Sequence, residues 1–174
     1  MKKRSIIGAT ALTAVFWLLS ACAPSDPVRE ATPISSDNIV MADDGKTLYT
    51  VNGDAGTVTK SDAAKQKLIA EIRVGKMPQQ AVLSPDGKSL YVTCRDTDRV
   101  DIIDTKRMEL SGVVDVGIEP YGVVVSPDGN KLYVSNDRSG TVSVVDTKTR
   151  LVKQTIPVGE RPRALALTAD GKKL

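Results

Sequence analysis

Along most of the chain, short apolar runs and alternating apolar–polar runs are separated by clusters of Ser, Pro, Asp, Asn and Gly. Residues 120–161 show the pattern most clearly. Gly122-Val123-Val124-Val125 is a short apolar run, which predicts a strand covered on both faces. Ser126-Pro127-Asp128-Gly129-Asn130 supplies turn chemistry, with Gly129 free to take positive φ. Lys131-Leu132-Tyr133-Val134-Ser135 alternates, as a half-buried strand does. After a second turn at 136–140, Thr141 to Asp146 alternates again, and after a third at 147–150, Leu151 to Ile156 predicts a fourth strand.

This unit repeats. Gly45, Gly87, Gly129 and Gly171 lie 42 residues apart, and Tyr49, Tyr91 and Tyr133 keep the same step. So do Val74-Gly75, Val116-Gly117 and Val158-Gly159, together with Asp62, Asp104 and Asp146. One period held by several landmarks without insertion identifies a repeat array. Four strands per 42-residue unit predict an all-β chain, a β-propeller of four-stranded blades. Paired-helix repeats of similar length need apolar stripes at 3.6-residue spacing, which the Gly, Pro and β-branched content opposes. The phasing places blades at 36–77, 78–119 and 120–161, with the start of a fourth at 162–174. Leu174 is in phase with Leu48, Leu90 and Leu132, so the expectation is a chain ending within a strand, the N-terminal part of a longer propeller.

The first residues read differently. Lys2, Lys3 and Arg4 precede an apolar stretch from Ile6 to Leu19, followed by Leu19-Ser20-Ala21-Cys22. That order is a signal peptide's, and about 14 apolar residues are short of a membrane span. The tetrapeptide resembles a bacterial lipobox, which implies a lipoprotein signal over 1–21 and lipidation of Cys22. Residues 22–35, with Pro24, Pro27 and Pro33, then read as an extended lipidated tether. Ala23 lacks the acidic character of an inner-membrane retention signal, so the expected location is the cell envelope, on an outer membrane facing the periplasm. Removing the three leader positives from 24 basic residues leaves 21 against 21 acidic ones, so the alkaline pI of 8.8 belongs to the leader. Near-zero charge and few aromatics argue against nucleic acid as a partner. If Cys22 is acylated, Cys94 has no disulfide partner and reads as a half-buried thiol at a strand end.

At Tyr91-Val92-Thr93-Cys94 and Tyr133-Val134-Ser135-Asn136 the repeats resemble the YVTN family of β-propeller proteins. The pattern Ser-Pro-Asp-Gly-x-x-Leu-Tyr-Val stands at 84–92 and again at 126–134, with a worn copy at 42–50. The resemblance implies a ring of roughly seven blades, of which about three and a fraction are present, and it does not by itself imply one function. A chain that was truly this short would leave blade faces bare and invite self-association.

No histidine occurs, which excludes within this stretch a Ser-His-Asp triad, histidine metal ligands and a histidine-held haem. No CxxCH, P-loop or dinucleotide glycine pattern appears, so no cofactor and no metal are expected. Asp44, Asp86, Asp128 and Asp170 repeat in phase, which assigns them to turns rather than to one site. A site should use rim residues that differ between repeats. Asp137 and Glu160 are among these, and the candidates for ligand contact are Arg95, Glu119, Tyr121, Arg138, Arg161 and Arg163. Arg161 and Arg163, flanking Pro162, point to an anion or carboxylate. The expected role is a non-catalytic binding or scaffold module for a protein, peptide or small ligand at the channel face, with a membrane contact through the lipid. The alternative is an enzyme of the propeller lactonase or hydrolase type whose metal or catalytic residues lie largely in further blades.

Overall fold

A computed structural model describes residues 36–174, and the leader, Cys22 and the tether lie outside the described residues. The β-branched, alternating segments all form strands. The first sheet holds β1 (Ser36–Met41), β2 (Thr47–Asn52), β3 (Thr57–Asp62) and β4 (Lys67–Arg73). The second holds β5 (Pro78–Leu83), β6 (Ser89–Cys94), β7 (Arg99–Asp104) and β8 (Glu109–Asp115). The third holds β9 (Pro120–Val125), β10 (Lys131–Asn136), β11 (Thr141–Asp146) and β12 (Leu151–Pro157). Each sheet is antiparallel with its strands in chain order, the meander of a propeller blade.

The β1–β2, β5–β6 and β9–β10 turns close by one device. Asp44, Asp86 and Asp128 each accept backbone N–H bonds from residues two or three further on. Ser84 and Ser126 add hydroxyl bonds to Asp86 and Asp128. Gly45, Gly87 and Gly129 take φ of +62°, +67° and +71° in these turns, a region that side chains with a Cβ avoid.

Alternation along each second strand sends neighbouring side chains to opposite blade boundaries. Leu90 and Val92 join Ala81, Cys94 and Ile103 in packing against Tyr49, Val51 and Val58 of blade one. Tyr91 turns the other way and, with Val100 and Ile102, meets Val123, Leu132, Val134 and Val145 of blade three. The innermost strands β1, β5 and β9 pack in succession, whereas the outer strands β8 and β12 barely touch, so the blades splay outward. Each third–fourth strand pair carries a bulge at one repeat position, at Lys60/Ser61, Ile102/Ile103 and Val144/Val145. A bulge increases the local twist and swings the outer strand away from its neighbour.

Residues 162–174 form no strand, unlike the sequence expectation, because a strand needs a ladder and the described residues supply none here. The segment still makes the repeat's turn. The Thr168 amide bonds to the Lys173 carbonyl, as Ser84 does to Ser89 and Ser126 to Lys131. Cys94 is fully buried rather than half-buried, since it points into the boundary with blade one instead of along the strand end.

Candidate ligand-binding cleft

Two sets of loops form one end of the array: those joining the second and third strands of each blade, and those leading into the next blade. In the second set Met77, Glu119 and Arg161 take φ of +50°, +55° and +52° immediately before Pro78, Pro120 and Pro162. Proline disfavours right-handed helical backbone in the residue before it, and left-handed backbone is costly without glycine, so surrounding bonds must hold these residues. The Met77 carbonyl accepts from the Arg95 amide at 3.0 Å, and the Glu119 carbonyl from the Asp137 amide at 2.9 Å. The Asp98 carboxylate also accepts from the Glu119 amide at 2.9 Å. In this backbone the Glu119 side chain reaches Arg95 and the Arg161 side chain reaches Asp137, each in the second-to-third-strand loop of the same repeat.

Two charge clusters result. Arg95 donates through Nη2 to Oε2 of Glu119 at 2.7 Å, and Nη1 of Arg138 lies 3.6 Å from the other carboxylate oxygen. Arg161 donates through Nε to Oδ1 of Asp137 at 3.2 Å, and Arg163 through Nε to Oδ2 at 3.1 Å. Asp137, only 2 % exposed, lies beneath both guanidinium groups. Burial pulls its carboxyl upward in pKa, but the bonds and charges of Arg161 and Arg163 outweigh this and hold it below the usual range. The Arg95 hydrogen bond similarly depresses Glu119, while Glu119 raises Arg95.

The clusters surround a cleft of about 810 Å³ lined by Arg95, Glu119, Asp137, Arg138, Ser139, Gly140, Pro157, Gly159, Glu160 and Arg161. Four of the six sequence candidates therefore converge: Arg95, Glu119, Arg138 and Arg161. Tyr121 and Arg163 stand outside the lining and pair with each other, the guanidinium carbon 5.3 Å from the ring centroid. Arg161 and Arg163 are not a free pair of anion receptors, because both are drawn to Asp137. Asp137 is absent from the candidate set, yet it organises the second cluster. A signal for it exists in the sequence. Asp137 occupies the repeat position of Arg95, and Arg161 that of Glu119, so the two positions exchange sign together.

The corresponding cleft two boundaries earlier, about 510 Å³, presents Gly53, Asp54, Lys76, Met77 and Asp96 and lacks the buried carboxylate. A third cleft of about 690 Å³ lies at the opposite end, among the Asp44 and Asp86 turns. Among the described residues no three His, Cys, Asp or Glu side chains converge as a metal site would require. The turn aspartates are spent on local bonds. Hydrogen bonds from the turn hold Asp44, Asp86 and Asp128 down to about 2.

A model of the YNCE-like beta-propeller family matches residues 4–139. No curated protein matches the chain. Among solved structures, hydrazine synthase of Kuenenia stuttgartiensis is 29% identical, with a TM-score of 0.77 over 86% of this chain and 44% of that one. A candidate 6-phosphogluconolactonase from Bacteroides fragilis is 27% identical, with a TM-score of 0.64 over 75% of this chain and 41% of that one. A protein of unknown function from Desulfotomaculum acetoxidans, 18% identical with a TM-score of 0.69 over 79% of this chain and 47% of that one, shares the fold. The chain spans less than half the length of each of these three.

Proposed function

The chain belongs to the YNCE-like beta-propeller family, and on that footing we propose that it is a lipid-anchored, non-catalytic binding module of the cell envelope. Its repeats are of the YVTN type in this reading, and its ligand sits in the cleft between Arg95 and Arg161. The observation that carries the proposal is the layering of charge there. Arg138 and Arg161 expose 72% and 70% of their side chains above carboxylates that are 22% and 2% exposed. Arg161, hydrogen-bonded to the buried Asp137, is a pre-organised donor, which lowers the ordering cost of binding, and Arg138 stands within ion-pair distance of Glu119. The order of Lys2-Lys3-Arg4, the apolar stretch and Leu19-Ser20-Ala21-Cys22 supports the anchor, and Ala23 supports the outer membrane.

A thermal-shift titration of the full chain against amino acids, short peptides, carboxylic acids and lactones tests the binding role. The expected result is a ligand-dependent rise in Tm that an Arg138→Ala, Arg161→Ala double variant loses. No response to any probe overturns it. The likeness to a candidate 6-phosphogluconolactonase favours the hydrolase alternative, which turnover of a lactone would establish. For the anchor, Cys22→Ala should move the chain from the membrane to the soluble fraction. An unchanged distribution refutes it.

A further inference from the structure

Three cations and three anions line the cleft: Arg95, Arg138 and Arg161 against Glu119, Asp137 and Glu160. Such a balanced lining sets up no net field to gather polyanions or polycations, so selectivity falls to the groups with spare bonding capacity. Arg95 and Glu119 are committed to each other at 2.7 Å, and the nearly buried Asp137 is paired with two guanidinium groups. Arg138 approaches Glu119 no closer than 3.6 Å, beyond a hydrogen bond, so its donors are open. Arg161 spends Nε on Asp137 and keeps both terminal nitrogens. Glu160 is exposed and makes no ion pair among the described residues. The spare groups in the cleft lining are thus two guanidinium forks and one carboxylate.

From this we infer that the cleft takes a zwitterionic ligand of the amino-acid or short-peptide class, carboxylate on Arg138 and Arg161, ammonium on Glu160. The inference rests on the reading of this cleft as a binding site. The remaining lining agrees with it. Ser139, Gly140, Pro157 and Gly159 offer no large apolar side chain, so the ligand is gripped by its polar backbone ends rather than by a greasy body. About 810 Å³ suits a small ligand. The earlier cleft, with Gly53 and Met77 at the positions of Asp137 and Arg161, lacks the charge layer and is not expected to compete.

Isothermal titration calorimetry of the full chain with an equimolar pool of free tripeptides, the same pool N-acetylated, the same pool C-amidated, and citrate decides the matter. The free pool should bind, and each cap should weaken binding by about tenfold, the worth of one charge-assisted contact. Arg138→Met should shrink the response to amidation alone, since Arg161 still holds the carboxylate, and Glu160→Gln should abolish the response to acetylation alone. Citrate binding as tightly as the free pool, with acetylation unfelt, overturns the zwitterion and leaves an anion site. Binding of the pool with neither cap felt also overturns it while sparing the binding role. Binding of no probe at all overturns both. The capped pools act on the unaltered chain, so the outcome stands even where a variant folds poorly.

Discussion

The backbone amide of Gly75 donates to Oδ2 of Asp101 at 2.8 Å, tying the end of blade one to the third strand of blade two. At the next boundary the amide of Gly117 donates instead to Oδ1 of Asn136 at 3.1 Å. Asn136 also donates to the hydroxyls of Thr141 and Ser143. Cys94, Arg99 and Asp101 stand at the repeat positions of Asn136, Thr141 and Ser143. A thiol is a weak acceptor, so Asp101 takes over the glycine amide. Arg99 balances the buried charge, its Nε 2.7 Å from Oδ1 in an ionic contact not aligned for a hydrogen bond.

The three positions should therefore behave as one unit. Asp101→Ser alone leaves the Gly75 amide unpaired and should cost about 1–3 kcal/mol in denaturant unfolding. The triple change Cys94→Asn, Arg99→Thr, Asp101→Ser rebuilds the blade-three arrangement and should recover most of that loss. Equal instability of the single and triple variants would show that the positions are not coupled.

Burial, with the nearby Asp101 charge, pushes the Cys94 thiol up to about 12. In a Cys22→Ser background it should resist iodoacetamide at pH 8 while the chain is folded and react once it is unfolded. Rapid labelling of the native chain would contradict its burial.

The exchange of sign between Arg95–Glu119 and Asp137–Arg161 predicts that either polarity fits the blade boundary. Arg95→Asp should lower Tm through like-charge contact with Glu119. Adding Glu119→Arg should restore most of it, because the pair then copies the next boundary. A double variant no better than the single one would refute this equivalence.

Gly122 has no room for a side chain. An added Cβ would lie 2.1 Å from the Arg163 carbonyl oxygen and 2.9 Å from Ser135 Oγ. That carbonyl also accepts the Ser135 hydroxyl at 2.6 Å, so the backbone cannot withdraw without breaking the bond. Gly122→Ala should destabilise by about 1–3 kcal/mol, in the range for overpacking, and speed tryptic cleavage at Arg163. Unchanged proteolysis would mean that the 158–174 segment is not held there.

Acid should loosen the blades in a defined window. Asp44, Asp86 and Asp128 fall from the ordinary 3.8 to about 2 because turn N–H and O–H groups bond the ionised carboxylate. The folded state thus binds fewer protons than the unfolded state between these values. The stabilisation is complete above about pH 4 and disappears as pH falls through about 2. Tm should drop across that interval, and replacing all three with Asn should flatten the drop. A profile that is equally steep in the triple variant would assign the acid sensitivity elsewhere.

The blade architecture was legible because its causes are local. Alternation in Lys131–Ser135 dictates a strand, Ser126-Pro127-Asp128-Gly129 dictates a turn, and a period of 42 residues places each copy beside the last. Four of the six cleft candidates could be found in the same way, as rim positions that vary against a constant repeat. The roles of Asp137 and Asp101 could not be assigned from local pattern, since each acts at a blade edge on residues 24 to 26 positions away. The recurring bulge in the outer strands is likewise a matter of ladder register, which alternation does not encode. Sequence determined which segments are strands and which positions are free to vary. Only packing one blade on the next decided which charges are buried, which are neutralised and which remain open to a ligand, because desolvation and pairing depend on what lies on the other side of the boundary.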